Sequence, residues 1–431
     1  MTIFKSMPGS VTSPNGFLAS GVSCGIKALG KGKGTGGGGL RDLAVIYSEV
    51  PTTVAGMFTT NQVCAAPVTL TQSRVSSGTA RAIVVNSGNA NACTGPAGLR
   101  DARAMASTTA GLLNVPATKI LVASTGRIGL ALPMPQVKRG IKEACAQLSG
   151  NLQAANNAAQ AILTSDTRTK QIAVELQLGN RLVRLGGIAK GAGMIHPGMS
   201  PDGSRPASSL HATMLCFLTT DASIEAAALQ CALTRAVAGS FNCISVDGDM
   251  STNDTVLLLA NGRAGNPKIT LSRRKDRALF QAALDHVTLE LAKMLVRDGE
   301  GVSRCIEIKV AGARTSAQAE AAARSVANSS LVKASWCGGD PNWGRIIDAL
   351  GYSTAEIVAD KISIGYRSVG KGQTRFARLP GRSSRTSTAT LRKIVAQSEF
   401  ELHLDLGLGS GAATFYASDL TEAYVDYNKG E

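Results

Sequence analysis

Thr213 is the residue of this sequence with the most chemistry in prospect. It follows Ala212 and heads an apolar run over residues 214–218. A threonine hydroxyl is a poor nucleophile unless a base lies beside it. One compact solution makes the threonine its own N-terminus, so that its α-amine is the base. Such an amine titrates at about pH 8, which leaves a useful fraction neutral near neutrality. A free amine on Thr213 requires a cut before it. The ingredients are present: a small residue before the bond, and a hydroxyl able to attack the preceding carbonyl in an N→O acyl shift. A threonine opening an apolar strand also serves simply as a strand residue.

Other residues carry chemistry by type and setting. Thr125-Gly126 follows an apolar run, residues 119–123. A hydroxyl beside a glycine at a strand end can aim a side-chain donor and a backbone N–H at one point, as an oxyanion hole requires. Lys190 opens the segment that leads to Thr213, where a lysine could pair with a carboxylate. Glu300 lies exposed between Gly299 and Gly301, where a carboxylate could meet a cationic amine. Asn86-Ser87-Gly88-Asn89-Ala90-Asn91 reads as a turn packed by its own amides. The run Gly30 to Gly39 satisfies G-x-G-x-x-G, but the next segment, residues 42–48, reads as a strand and not a helix, so a surface loop is expected there.

The elements that must hold these residues emerge from periodicity. Residues 42–48, 82–86, 119–123, 171–178, 181–186, 214–220, 305–310 and 400–406 read as strands. Residues 136–149, 151–163, 223–239 and 316–327 read as helices, as does a long segment ending near Arg297. Ser223 and Ser272 are expected as N-caps of two of these helices.

Three motifs resemble one family. The run Lys190-Gly191-Ala192-Gly193-Met194-Ile195-His196-Pro197, with Ala212-Thr213-Met214-Leu215 and Thr219-Thr220-Asp221-Ala222, resembles the self-cleaving motif of the ornithine acetyltransferases. These are also called glutamate N-acetyltransferases, of arginine biosynthesis. Val246-Asp247-Gly248-Asp249 with Ser251-Thr252-Asn253-Asp254, and Gly339-Asp340-Pro341-Asn342-Trp343-Gly344-Arg345, are similar to two further motifs of that family.

The resemblance implies an α+β fold of mixed β-sheets sandwiched by helices. It implies self-cleavage at Ala212–Thr213 into fragments 1–212 and 213–431, with two copies of each fragment assembling. Thr213 is then the nucleophile, and Thr125 and Gly126 form the oxyanion hole. Thr164, Lys190, Thr213, Glu300 and Asn428 bind substrate. N-acetylornithine would donate an acetyl group to glutamate, with acetyl-CoA a further candidate donor, and neither cofactor nor metal is called for. In two places the chain departs from the family pattern: residues 200–211 intervene before Ala212, and the family's threonine five residues after Asn428 has no counterpart.

Composition bounds the reading. At 431 residues the chain can bury a large core, in two domains or two lobes. No apolar run is long enough for a membrane helix. Nine cysteines without a CxxC pair point to reduced thiols in the cytoplasm and away from a zinc or iron–sulfur site. A net charge of +15 suggests anionic partners. The basic residues are spread along the chain with no block interleaved with aromatics, so carboxylate substrates are expected rather than nucleic acid. Two rivals stand beside the acetyltransferase: an amidase or aminopeptidase on the same self-cleaving scaffold, and a basic nucleotide-binding protein built on the glycine-rich loop.

Overall fold

A computed structural model of the chain describes residues 3–27, 40–204 and 214–429. The chain divides into two compact units. The first runs to Asn242 and includes Asp249–Leu295; the second comprises Cys243–Gly248 and the chain from Val296 onward.

The first unit is built on a mixed sheet. Its elements are β1 (Phe4–Met7), β2 (Phe17–Val22), β3 (Leu43–Phe58), α1 (Ala66–Val75), β4 (Thr79–Asn89), α2 (Gly95–Leu113), β5 (Ile120–Arg127), α3 (Met134–Ala146), α4 (Leu152–Ala161), β6 (Lys170–Leu178), β7 (Arg181–Lys190), β8 (Leu215–Thr220) and α5 (Ala226–Ala238). After β9 (Ile244–Ser245), which belongs to the second unit, come β10 (Thr255–Ala260) and α6 (Arg274–Arg297). The strand order is β1-β6-β7-β8-β10-β3-β4-β5, with β2 also paired to β3.

Strand β3 joins two halves of this sheet. Residues 43–47 and 52–53 pair with β4, with a register shift between Tyr47 and Thr52, and residues 53–58 pair with β10. A straight strand of 16 residues would span about 50 Å and hold the two pairings far apart. Yet the side chain of Asn253, just before β10, donates to the Ala90 and Ser124 carbonyls beyond β4 and in β5, at 2.7 and 2.8 Å. The sheet is therefore folded over at β3, where Pro51 falls between the paired stretches.

Side-chain alternation makes the layers. Ile83, Val85, Leu121 and Ala123 share one core with Ile188, Leu215, Phe217, Leu257, Leu259 and the alanine face of α4. Ala82, Val84, Ile120 and Val122 point the other way, into a core with Ala102 and Met105 of α2 and Val137 and Ile141 of α3. On the far side, Leu291 of α6 and Leu218 of β8 both lie close to Gly187. The result is a pair of sheet layers with helices outside them, an α+β sandwich.

The second unit holds a smaller mixed sheet. Its elements after β9 are β11 (Cys305–Ala313), α7 (Ser316–Asn328), α8 (Ser330–Cys337), α9 (Trp343–Gly351), β12 (Ser363–Ser368), β13 (Lys371–Leu379), β14 (Arg382–Ser383), α10 (Thr388–Val395), β15 (Glu399–Asp405), β16 (Gly411–Ser418) and α11 (Glu422–Tyr427). The order is β14-β13-β12-β15-β11-β16-β9. Ile306, Ile308, Phe400 and Leu402 alternate into a core with Ala322 and Val326 of α7 and Trp336 of α8.

Helix starts differ in places from expectation. Asn151 caps α4 by accepting from the Ala154 N–H at 2.8 Å, and Asn342 caps α9 from Arg345 N at 3.2 Å. Ser223 is not a cap: its backbone pairs with Asn266 and Ile269, and the helix begins at Ala226 after Glu225. The Ser272 hydroxyl bonds Thr270 instead, and α6 begins at Arg274. Among the described residues no helix is long and apolar enough to cross a membrane.

Candidate active site

The expected cleavage point adjoins a place where three strands meet. Lys190, the last residue of β7, stands opposite Leu215, the first of β8. On its other side Leu215 stands opposite Thr255, the first residue of β10. Met214 is held against the head of β10. Its N–H donates to the buried Asp254 carboxylate, and its carbonyl accepts from Thr255 N at 3.1 Å. Ala212 and Thr213 themselves lie outside the described residues, as does the glycine-rich run at residues 30–39.

The segment upstream is anchored in the same region. The backbone of Ser200 pairs with Phe58 at the end of β3, and the Asn242 side chain bonds the backbone of Met199 in both directions, at 2.9 and 3.0 Å. The inserted residues 200–211 thus begin at a fixed point beside the end of β3. Those from 205 onward lie outside the described residues.

Thr125 and Gly126 occupy the end of β5. Here β4 and β5 run parallel with Gly88 opposite Gly126, and the register shifts at Asn89. Gly126 adopts φ +130°, and a side chain on it would meet the Gly88 backbone at 2.3 Å, so only glycine fits this approach. The asparagine run is a loop packed by its own amides: Asn86 donates to the Asn89 carbonyl at 2.8 Å, and Asn89 Oδ1 accepts from Asn91 N at 2.8 Å. Ser124 Oγ bonds Asn86 Oδ1 at 2.6 Å. Together with Asn253, these bonds fix the backbone on which Thr125 sits.

Lys190 draws the site together. Its ammonium donates to Thr164 Oγ1 at 2.8 Å and reaches Thr125 Oγ1 at 3.4 Å. A threonine hydroxyl that accepts from a cation keeps its own hydrogen to donate elsewhere, which suits Thr125 to stabilise a developing oxyanion. Lys190 and Thr125 are buried, and Thr164 is half-buried.

A buried carboxylate lies behind this group. The Asp166 side chain is wholly buried and bonds Lys170 Nζ at 2.6 Å, Gly191 N at 2.7 Å and Thr164 N at 3.0 Å, with Lys190 Nζ at 3.9 Å. Burial pushes its carboxyl group up, but Lys190 and Lys170 outweigh that and hold it well below the usual carboxylate range. Lys27 is a further buried cation near the group; burial lowers its ammonium to about 8, with Asp42 and Asp166 opposing the shift and Lys190 adding to it.

The chain has relatives among known proteins. A model of the ArgJ family matches residues 18–430. The chain belongs to the ArgJ family. It is accordingly an acyltransferase enzyme of arginine biosynthesis that acts on small molecules. The arginine biosynthesis bifunctional protein ArgJ of Symbiobacterium thermophilum is 45% identical over 422 residues, 98% of either chain. That of Geobacter sulfurreducens is 44% identical over 414 residues, 96% of this chain and 98% of its own. The crystal structure of ornithine acetyltransferase complexed with ornithine from Mycobacterium tuberculosis is 40% identical, covering 46% of this chain and all of that one, with a TM-score of 0.42.

In this ArgJ chain the remaining expected site residues, Glu300 and Asn428, meet in the second unit. Glu300 lies in the turn after α6 and is half-buried, not exposed as its flanking glycines suggested. Asn428, at the end of α11, donates to Glu300 Oε2 at 3.1 Å. The close approach rests on Gly301, where a side chain would lie 2.3 Å from Tyr424 N. The Thr421 hydroxyl also bonds the Gly301 carbonyl at 2.6 Å.

Reading the sequence for chemistry passed over Asp166, Lys170, Lys27 and Asp254. Asp166 stands in a Thr-Ser-Asp-Thr turn that looks ordinary, and its partners come from β6 and the residue after β7. The one available signal for Asp254 was its place in the Ser-Thr-Asn-Asp motif.

Proposed function

We propose that this chain cuts its own Ala212–Thr213 bond and then moves an acetyl group from N2-acetylornithine to glutamate through an acetyl-Thr213 enzyme. The observation that carries the reading is the contact of Lys190 with both Thr164 and Thr125 where β7 meets the head of β8. A cation for a substrate carboxylate thus stands beside a hydroxyl suited to an oxyanion, opposite Leu215, two residues beyond the nucleophile.

The chemistry proceeds in balanced steps. Thr213 Oγ attacks the Ala212 carbonyl and the C–N bond breaks, so that the peptide becomes an ester and the Thr213 amine is freed; water then hydrolyses the ester, leaving the Ala212 carboxylate and a free Thr213 hydroxyl. That amine then takes the hydroxyl proton as Thr213 Oγ attacks the acetyl carbonyl of acetylornithine. The Thr125 hydroxyl and the Gly126 N–H hold the oxyanion. The C–N bond breaks, ornithine leaves with the proton, and the acetyl group stays on Thr213 as an ester. The α-amine of glutamate attacks that ester, giving N-acetylglutamate and free Thr213.

Lys190 pairs with the α-carboxylate that both amino acids share, and Thr164 borders the same position. Glu300 takes the cationic amine of ornithine, with Asn428 beside it. The free Thr213 hydroxyl would also take an acetyl group from acetyl-CoA, forming the same acetyl-enzyme as the CoA thiol leaves. Fragments 1–212 and 213–431 remain together as a heterotetramer with two of each, working in the cytoplasm. Product analysis tests this reading: sustained ornithine release, beyond the one equivalent that acetylates Thr213, should require glutamate and yield N-acetylglutamate in equal amount. Release at the same rate without glutamate, with free acetate as product, would make the chain a hydrolase.

A further inference from the structure

We propose that Asp166 is the positioning residue that sets Lys190 and Thr164 for the substrate carboxylate. This rests on the reading that Lys190 binds that carboxylate. The Thr164 side chain comes from the loop after α4 and the Lys190 side chain from the end of β7, so neither element alone fixes their separation. Asp166 ties the two. One oxygen accepts from the Thr164 N–H at 3.0 Å and the other from the Gly191 N–H at 2.7 Å, one residue beyond Lys190. A single side chain therefore fastens the backbone beside both residues.

Its charge acts as well as its shape. Asp166 gives its close ion pair to Lys170, at 2.6 Å, and stands off from Lys190 at 3.9 Å, beyond hydrogen-bond reach. All three side chains are almost fully buried. The α-carboxylate of either substrate would meet Lys190, whose ammonium stands beyond hydrogen-bond distance of Asp166, rather than Lys170, which Asp166 holds at 2.6 Å.

The test is a double-mutant cycle on the cleaved enzyme, read as KM for acetylornithine and for glutamate, and as kcat. Asp166→Asn should raise both KM values by about tenfold or more with a smaller change in kcat, as expected for a lost charge-assisted arrangement. In a Lys190→Ala background the same change should add about twofold at most, because it acts through Lys190. Effects that multiply across the two sites, or a fall in kcat with KM unchanged, would overturn the proposal. If Lys190→Ala alone leaves both KM values unchanged, the carboxylate-binding reading fails instead. Asp166→Asn strands the buried Lys170, so the charge-balanced pair Asp166→Asn/Lys170→Met provides a second variant with the same expected rise in KM. If neither variant folds, Asp166 is a folding residue and the proposal falls.

Discussion

The ammonium of Lys190 donates to the Thr164 hydroxyl at 2.8 Å, across 26 residues of sequence. The contact joins the end of a central strand to a loop that follows a helix. It makes Lys190 a fixed cation in the first unit, whereas Glu300 is a carboxylate fixed by Asn428 in the second. The two should discriminate substrates differently. Lys190→Ala should weaken both amino acids, about ten- to a hundredfold for a lost charge-assisted contact. Glu300→Ala should raise the KM for acetylornithine well above any change for glutamate, since glutamate lacks the second amine. Initial-rate kinetics with each substrate varied in turn measures both effects, and equal losses for the two substrates in Glu300→Ala would remove its assigned role.

Cleavage should leave an intact fold. Both β8 and β10 lie downstream of the proposed cut, yet they sit between β7 and β3 of the upstream segment. Two flanking ladders therefore bind the downstream fragment into the first sheet. Denaturing mass analysis should give chains of residues 1–212 and 213–431, and size exclusion a single species containing both. Thr213→Ala should give one uncut chain. A processed Thr213→Ala protein would contradict self-cleavage by this hydroxyl.

The oxyanion assignment predicts a rate defect without a folding defect. Loss of one oxyanion donor costs on the order of a hundredfold in kcat. Thr125→Ala should show that loss, with its thermal unfolding close to that of the parent protein. Unchanged turnover would leave Thr125 as a strand residue only.

Lys333 offers a test of stability away from the proposed chemistry. It is buried on α8 and donates to the carbonyl and the hydroxyl of Ser418. Burial lowers its ammonium from 10.5 to about 8, against the pull of Asp247 and Asp419. Between those two values the folded chain binds fewer protons than the unfolded chain, so the contribution of Lys333 to stability rises with pH. The stability difference between the parent and Lys333→Met should therefore shift toward the parent as pH climbs from about 8 to about 10. Thermal unfolding across that range measures the shift, and a constant difference would place the ammonium at its ordinary value.

Local pattern announced much of this fold, and it stopped at identifiable points. The apolar runs at residues 82–86 and 119–123 became the middle of β4 and the first half of β5, because period-two burial on both faces needs only neighbouring side chains. The same pattern lost β3 after Ser48, where Glu49, Val50 and Pro51 interrupt it and the strand bends to join a second set of partners. Ser223 has the right type for a helix cap, but distant pairing with Asn266 and Ile269 claims its backbone. Thr125, Lys190 and Thr164 are named through family motifs, and the fold places both threonines within hydrogen-bonding reach of Lys190. Asp166 carried no such mark. Its role comes from partners supplied by β6 and the end of β7, which only the folded chain brings to it.

The central claim is that Thr213 carries the acetyl group between two amino acids. The most direct measurement mixes the enzyme with acetylornithine in the absence of glutamate, quenches it with acid and determines the masses of both fragments. One acetyl group should appear on the downstream fragment, at Thr213 on peptide mapping, and should vanish when glutamate is added. N-acetylglutamate formed once glutamate is added, with neither fragment ever acetylated, would require direct transfer in a ternary complex and would contradict the account.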